Sequence, residues 1–541
     1  MKLIKNATNQ KLRGGFYTPE PIADFILKWA FNGSRGQDIL EPSCGDGVFL
    51  ESIRNNSFPY KSITAVEIEK EEAKKSENLN LKSTEIINSD FHEFCNKTKK
   101  RFDIVVGNPP YIRYQYFDKK QQKEAANIFN KVDLKYSKLT NAWVSFVVGS
   151  SLLLKDNGKI GFVLPAELLQ VSYAKTLRNY LSHYFNKINI ISFKKLVFPD
   201  IQQEVVLLLC EKNDTDKHLI EHMEIEDASK LKDVDFTLLK SPKKEIDFQE
   251  NKWTFYFLDQ EEIDFLEKLK KLNNIPKIKD YASNEVGITT GKNDFFTVTE
   301  STVKEYKMEK YAKPLMGRSV QLKGVNFSKK DWNDNRKNGA RVFLLVFPER
   351  EKLAKENKRA MEYILMGEKK GYQNGYKCRI RGEEWHIAPS LKISEAFFTR
   401  QNHLFPKMVV NTNNAYTTDT VHRVFIKKGT NVKAFVASFY NSLSLAFSEI
   451  VGRSYGGGVL ELMPNEVEEI LFPYKKEHAE MIEKLDAMFR KGKNIDEILE
   501  YSDEVILKKG FGFSNREVKL ANNIWKKLSR RRLNRKNNKK C

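Results

Sequence analysis

At 541 residues the chain is too long for one ordinary domain, and two or three are expected. Hydrophobic residues make up 40%, enough for a core in each, while 92 basic against 71 acidic residues leave a formal net charge of +21 that points to a polyanionic partner. The best apolar stretch, Val144 to Leu154, is broken by Gly149, Ser150 and Ser151, so no membrane span or membrane partner is expected, and the start lacks a signal-peptide core, so the expected location is cytoplasmic. Five scattered cysteines without CxxC or Cys/His spacing speak against a metal site or a disulfide framework.

Near the start, Gly14-Gly15-Phe16-Tyr17-Thr18-Pro19 runs into Ile22, Phe25, Ile26 and Trp29 at helical spacing. Thr18 reads as the N-cap and Pro19 as a first-turn residue, with the helix N-terminus free to lie over an anionic group. Next, Asp38 to Leu50 reads as a short strand, a glycine loop (Gly45, Gly47) and an amphipathic helix. The loop carries Glu41 and Asp46 and lacks the Walker lysine and the full dinucleotide fingerprint, so it suits a cationic or zwitterionic ligand better than a pyrophosphate. A second strand, Ile63 to Glu67, ends in an acid where α/β folds bind ribose hydroxyls. A third, Glu85 to Asn88, ends near Asp90, a candidate acceptor for an adenine amino group. Each acid alone is more often a solvated loop end.

The apolar run Phe102 to Val106 is a fourth strand, and it ends on Gly107-Asn108-Pro109-Pro110-Tyr111, through which no strand continues. The prolines remove backbone donors and leave carbonyls. With the Asn108 side-chain oxygen, these can accept both hydrogens of a planar exocyclic amine and draw its lone pair out of conjugation. Tyr111 offers a flat face for the ring that bears the amine. Between Tyr111 and Asn141, a lysine-rich segment with Tyr114, Tyr116 and Phe117 reads as a flap over DNA or a solvated helix-bearing insertion, with a slight preference for the flap.

The Tyr-Thr-Pro, Glu-Pro-x-Cys-Gly-x-Gly, Val-Glu-Ile, Asp-Phe and Asn-Pro-Pro-Tyr segments, in this order, resemble the gamma class of S-adenosylmethionine-dependent DNA adenine-N6 methyltransferases of restriction-modification systems. The likeness continues through Asn141 to Phe146, Gly158 to Pro165 and Val197-Phe198-Pro199, with Trp143 standing where many relatives have tyrosine. It implies a Rossmann-like α/β catalytic domain (residues 1–245) with a mixed seven-stranded sheet and helices on both faces. An α+β target recognition domain (250–475) and a helical, basic C-terminal segment (476–541) follow. By the same resemblance Thr18, Glu41, Pro42, Cys44, Gly45, Gly47, Glu67, Ile68 and Asp90 fall on positions that bind S-adenosyl-L-methionine. Asn108, Pro109, Pro110 and Tyr111 fall on the catalytic loop, and Phe198 with Tyr111 on the residues that stack on the target base. The implied activity is methylation of adenine N6 at a specific site in double-stranded DNA, with no metal. Readings with another acceptor, an RNA adenine or a protein glutamine, stay open, as does a DNA-recognition subunit without turnover. Pairing with a separate cognate restriction endonuclease is left open, and action as a monomer on DNA is expected.

After Cys210 the sequence turns charged, with Ser241-Pro242-Lys243-Lys244 as the boundary and a new domain from Trp253. In it, Val286 to Asn293, Leu315 to Arg318 and Gly456 to Leu462 alternate turn signals with short strands, more loosely resembling target recognition domains. Lys369 to Trp385 is dense in basic and aromatic residues, suiting phosphate contacts with interleaved stacking. Helices are expected from about Glu477 to Leu528, and of the last sixteen residues nine are basic and none acidic.

Overall fold

The computed structural model describes residues 18–32, 36–112, 116–135, 140–198, 203–213, 215–240, 242–248, 252–271, 275–455 and 457–534. Gly14 to Tyr17, Tyr114, Pro199, Ser241, Gly456 and the tail from residue 535, all singled out above, lie outside the described residues. The chain divides into two units, one reaching Ile263 and one of Asp264–Leu533.

The first unit is a Rossmann-like α/β domain. Its strands β1 (Gln37–Glu41), β2 (Tyr60–Glu67), β3 (Thr84–Asn88), β4 (Phe102–Gly107), β5 (Leu154–Pro165), β6 (Lys187–Phe193) and β7 (Val205–Glu211) lie in the order β3-β2-β1-β4-β5-β7-β6. All neighbours are parallel except β7, which runs antiparallel to β5 and β6. The sheet does not stop at the expected seven. Strand β8 (Leu219–Ile225) pairs parallel with β6, and the two-residue β9 (Lys244–Glu245) pairs with β8, making nine. Only Ile220 of β8 is fully buried, so Glu221, His222 and Glu224 fit a half-exposed strand and hide it from a search for apolar runs.

Helices α1 (Glu20–Phe31) and α2 (Val48–Asn55) close one face. Ile22, Phe25, Ile26, Trp29, Phe49, Leu50 and Ile53 share an apolar cluster with Ile39, Ile104 and Val106, alternate residues of β1 and β4. Helix α1 starts later than expected. Thr18 is not its N-cap: Pro19 is, without a side-chain cap bond, and the first-turn proline is Pro21. Helix α3 (Lys70–Glu77) connects β2 and β3. On the other face α4 (Phe91–Lys97), α5 (Lys119–Asn130) and α6 (Ala142–Leu152) pack on one another around Gly149, where an added Cβ would meet Phe91 at 3.0 Å, Cys95 at 3.2 Å and Ile128 at 3.3 Å. Helix α5 corrects the flap reading. Asp118 and Gln121 form its capping box, Asn96 Nδ2 donates to Glu124 at 2.7 Å, and Ile128 and Phe129 are buried. Helix α7 (Lys175–Tyr184) leads into β6.

The 3₁₀ turn Trp253–Phe257, read above as the opening of the next domain, packs on β8 in the first unit: Phe257 stands edge-on to His222, and Lys244 Nζ donates to the Tyr256 carbonyl at 2.9 Å.

The second unit holds three small sheets. One has the order β10 (Ala282–Val286), β18 (Val421–Ile426), β14 (Ala396–Thr399), β16 (Met408–Val410). The next has β11 (Thr297–Val298), β13 (Phe343–Leu345), β12 (Ala312–Met316), β17 (Tyr416–Thr417). The last has β15 (Gln401–Asn402), β20 (Val459–Glu461), β19 (Arg453–Tyr455). Helix α8 (Lys358–Lys369) covers an aromatic core containing Phe295, Phe347, Tyr363 and Trp385. The apolar helices α9 (Val432–Phe439) and α10 (Ser442–Val451) are buried here, and among the described residues no single helix is long and apolar enough to cross a membrane. Helices α11 (Ile482–Arg490), α12 (Ile495–Asp503) and α13 (Asn515–Leu533), assigned from sequence to a separate segment, belong to this unit, α13 packing along α10.

Gly161 of β5 lets α1 approach the sheet: a Cβ there would meet Ile26 Cγ2 at 2.5 Å. Gly161→Ala should destabilise the first unit by about 1 to 3 kcal/mol through overpacking, and adding Ile26→Ala should return part of the loss. Urea unfolding of the single and double variants checks this, and an unchanged midpoint in the single variant would contradict it.

Candidate active site

Strands β1 and β4 lie side by side, Leu40 opposite Val105, so the loops after both leave the same edge of the sheet. The glycine loop follows β1. Its Cys44 N–H donates to the Val66 carbonyl at 3.0 Å, and Gly47 N–H closes a turn on the Cys44 carbonyl at 2.9 Å. Gly45 and Gly47 both have positive φ, +54° and +93°. A Cβ on Gly47 would meet Ser76 Oγ and Leu79 Cδ1, each at 2.9 Å, whereas a Cβ on Gly45 would meet nothing within 4 Å. Gly47 thus sits against α3, and Gly45 faces open space.

Glu67, at the end of β2, shapes this loop. Its Oε2 accepts from Gly45 N–H and its Oε1 from Glu69 N–H, both at 2.9 Å. Asn88 Nδ2 donates to the carbonyls of Glu67 and Ile68 at 2.9 and 3.0 Å. Beside Glu67 the Ile68 side chain is 51% exposed, unusual for a large apolar group next to a fitted loop. Glu41, at the end of β1, is 2% exposed, and its Oε2 is buried without a hydrogen-bond partner. Burial, reinforced by the charges of Glu67 and Asp46, raises the Glu41 carboxyl well above the usual range. Burial also raises Glu67 and Asp46. A buried carboxyl with an unmet acceptor suits a positively charged ligand group.

The Asn-Pro-Pro-Tyr loop leans on the glycine loop. Ser43 Oγ donates to the Asn108 carbonyl at 3.4 Å, and a Cβ on Gly107 would meet Pro42 Cδ at 3.4 Å and Glu41 Cγ at 3.8 Å. Pro109 is buried and Pro110 half-buried. Tyr111 OH donates to the Val163 carbonyl at 3.2 Å, which sets the ring, and burial raises its phenol, so it stays neutral. Tyr111 and Phe198, far apart in sequence, belong to one apolar cluster, Phe198 being 8% exposed.

Two expected positions are occupied differently. Thr18 is buried at the entry to α1 without capping it. Asp90 is the N-cap of α4: its Oδ1 accepts from His92 N–H at 2.8 Å and Glu93 N–H at 3.2 Å, and its Oδ2 from Gln121 Nε2 at 3.1 Å. Its carboxyl lies below the usual range, the hydrogen bonds from His92 and Gln121 outweighing desolvation. Cys44 is buried, and burial next to Glu41 raises its thiol, which removes it as a nucleophile.

Sequence reasoning passed over Ser43, Ser76, His92 and Ser145. Ser76 Oγ donates to the Gly45 carbonyl at 3.0 Å, and the buried His92 links Asp90 to Ser145, its Nε2 2.7 Å from Ser145 Oγ. None has a spacing signal, because each meets its partner through the fold.

Comparison with known proteins bears on both units. Residues 45–198 match the Eco57I restriction-modification methylase family, and residues 250–507 the family of C-terminal domains of the type II methyltransferase M.Eco57I. The chain is 25% identical over 480 residues to the type II methyltransferase M.AccI of Acinetobacter calcoaceticus, covering 84% of each protein. It is 29% identical over 197 residues to M.HincII of Haemophilus influenzae, covering 36% of each. A solved DrdV–DNA complex aligns at 12% identity with a TM-score of 0.49, over 89% of this chain and 58% of that one.

The two loop glycines should separate by substitution. Gly45→Ala carries only the cost of a left-handed Cβ, about 1 to 2 kcal/mol. Gly47→Ala adds the contacts with Ser76 and Leu79, about 1 to 3 kcal/mol more. Thermal unfolding should therefore show a larger drop for Gly47→Ala, and equal drops would show that the loop can yield.

Proposed function

Residues 45–198 match the Eco57I restriction-modification methylase family and residues 250–507 the family of M.Eco57I C-terminal domains, and on that premise we propose that this chain transfers a methyl group to N6 of an adenine swung out of duplex DNA at a specific site. The observation that carries this reading is the contact between the two strand-end loops. Ser43 ties to Asn108 and Gly107 abuts Glu41 and Pro42, so the acid-bearing glycine loop and the amine-accepting loop share one rim.

S-adenosyl-L-methionine supplies a methyl group already activated on a sulfonium. The residues that hold it are Glu41, with its unmet acceptor, toward a cationic group, Gly45, whose missing side chain leaves room, and Ile68, whose exposed side chain offers a face to ribose and base, while Glu67 shapes the loop that carries them. Pro42, Cys44 and Gly47 belong to the glycine loop and Asp90 acts through α4, while Thr18, buried at the entry to α1, is carried as a cofactor contact by the resemblance alone.

The adenine must leave the stack, at a cost of about a few kcal/mol. Tyr111, its hydroxyl held by Val163, and Phe198 in the same cluster offset this by about 1 to 3 kcal/mol per stacked base. The Asn108 side-chain oxygen and the Pro109 carbonyl accept the two N6 hydrogens and localise the nitrogen lone pair. That pair would then take the methyl group the bound cofactor supplies, the sulfur keeping the electrons of the bond it gives up, and the surplus N6 proton would leave to water. No side chain need become a covalent carrier, and proximity supplies much of the rate. The +21 charge suits the DNA partner. A cognate endonuclease would be a separate protein, and action as a monomer fits a single rim per chain.

Purified protein with labelled cofactor should place N6-methyladenine in duplex DNA, and Asn108→Ala should lower the rate by about 100-fold or more while cofactor binding persists. Methylation of cytosine, RNA or protein instead, or full activity in Asn108→Ala, would overturn the reading. Glu41 adds a pH test. Burial makes its carboxyl hold its proton to higher pH in the free protein, and a cationic ligand favours the ionised form, so at a pH where Glu41 is still protonated binding releases a proton. Cofactor affinity should rise with pH until Glu41 is ionised in the free protein, then level off. Calorimetry in buffers of different ionisation heat should read the released proton in wild type and none in Glu41→Gln.

A further inference from the structure

Residues 369–381 of the second unit carry five basic residues and no acidic one. They form a platform rather than a loose loop. Gly371, with φ +71°, turns the chain out of α8 into a 3₁₀ turn, Tyr372–Asn374, and the helical turn Tyr376–Arg379 follows. Two groups fasten the platform from below. Cys378 is fully buried against the Thr290–Gly291 turn, where a Cβ on Gly291 would meet Cys378 Sγ at 3.1 Å and Lys377 Cβ at 2.8 Å. The Arg381 guanidinium donates to the Thr290 carbonyl at 2.7 Å and the Trp385 carbonyl at 2.8 Å.

Above this anchor the platform presents large apolar groups to solvent. Tyr376 and Ile380 are one helical turn apart, joined by the Ile380 N–H to Tyr376 carbonyl bond of 3.3 Å, and are 65% and 64% exposed. Residues at this spacing share a face. Around them Lys369, Lys370, Lys377 and Arg379 are exposed, and no carboxylate within ion-pair distance accompanies any of them among the described residues. Of the acids that flank the platform, Glu368 is engaged by Arg350 at 2.5 Å and Trp385 Nε1 at 3.2 Å, and Glu384 accepts from the Arg350 N–H at 3.1 Å, leaving Glu383 as an exposed acid at its edge. An isolated exposed leucine or valine needs no explanation, but two large side chains on one rigid turn, ringed by unneutralised cations, do.

We propose that this platform is a DNA-docking wedge, in which Tyr376 and Ile380 pack into a groove of the duplex while Lys369, Lys370, Lys377 and Arg379 take phosphates on either side. The proposal rests on the reading of duplex DNA as substrate and names the surface that grips it. A duplex complements both halves of the patch, its phosphates meeting the cations while thymine methyls, sugar edges and the faces between base steps meet the Tyr376–Ile380 pair. Burial of Cys378 and the Arg381 bonds keep the wedge in one conformation, so little ordering is needed on contact.

The test uses the full chain and a duplex bearing the site that the wild type methylates, as found by methylation sequencing. Two variants are made on exposed positions: Tyr376→Ser with Ile380→Ser, and Lys369→Gln, Lys370→Gln, Lys377→Gln with Arg379→Gln. Both should keep wild-type unfolding and cofactor binding. The first should weaken duplex binding about tenfold at fixed salt and leave the slope of log K against log salt unchanged. The second should flatten that slope by about one per lost phosphate contact. Wild-type duplex affinity and slope in both variants would overturn the wedge while leaving the methyltransferase reading intact. Failure of the wild type itself to bind or methylate duplex DNA would overturn that reading and the wedge with it.

Discussion

The placement of β1 beside β4 is the constraint from which the candidate site follows. The chain runs outward from β1 to β2 and β3, then returns across to β4 on the other side of β1, so the connections after β1 and β4 depart to opposite faces of the sheet. The carboxyl ends of β1 and β4 form the switch point at which open α/β sheets bind ligands. Glu41 and Asn108 share this edge because Leu40 is in register with Val105, not because anything links them in sequence. Gly107 completes the arrangement, the end of β4 lying in direct packing distance of Pro42 and Glu41.

The acids at this edge are not equivalent. Glu67 has exchanged water for two backbone N–H groups, and its role is to hold the glycine loop in shape. Asp90 is engaged by the first turn of α4 and by Gln121, and contributes through that helix. Glu41 alone is buried with an acceptor unmet, an arrangement that costs stability unless something positively charged completes it. One carboxylate shapes the cradle, a second braces its wall, and the third remains available to a ligand.

Much of the first unit was legible because its central strands are buried on both faces and read as apolar runs, from Ile39-Leu40 to Val205–Cys210, with β1 and β2 ending on an acid, β4 on a glycine and β5 on a proline. The Asn-Pro-Pro-Tyr loop was legible because its prolines forbid continuation of β4. Legibility failed where tertiary contacts override local signals. Thr18 has capping chemistry, yet α1 starts at Glu20, set by packing of Ile22 and Ile26 on the sheet. Strand β8 is too polar for an apolar-run search, β9 is two residues long, and Trp253 to Phe257 belong to the first unit because their rings find β8. Helix α5 looked like a flap because its exposed face is lysine-rich, while Ala125, Ile128 and Phe129 face inward. His92, Ser145, Ser43 and Ser76 had no signal at all, since polar pairs separated by tens of residues leave no period.

The second unit solves a different problem. Its sheets have three or four strands, many of only two or three residues, too little continuous structure to fix loops by strand register alone. Charge pairs, one fully buried and one half-buried, take over that task. Arg532 and Glu449, 1% and 3% exposed, join α13 to α10, and Arg532 also donates to the carbonyls of His403 and Gly458, fixing the loop after β15 and the turn of the β19–β20 hairpin from one guanidinium. Arg490 binds Asp331 and Asp486, while Asp486 accepts from the N–H groups of Val325 and Asn326, which clamps α11 to the segment before β13. Such pairs add little net stability compared with apolar packing, but each tolerates only one geometry. For the DNA-docking role proposed for this unit, one fixed geometry matters more than added stability. Helix α13, the last described helix, is accordingly held by a buried ion pair as well as by its apolar stripe.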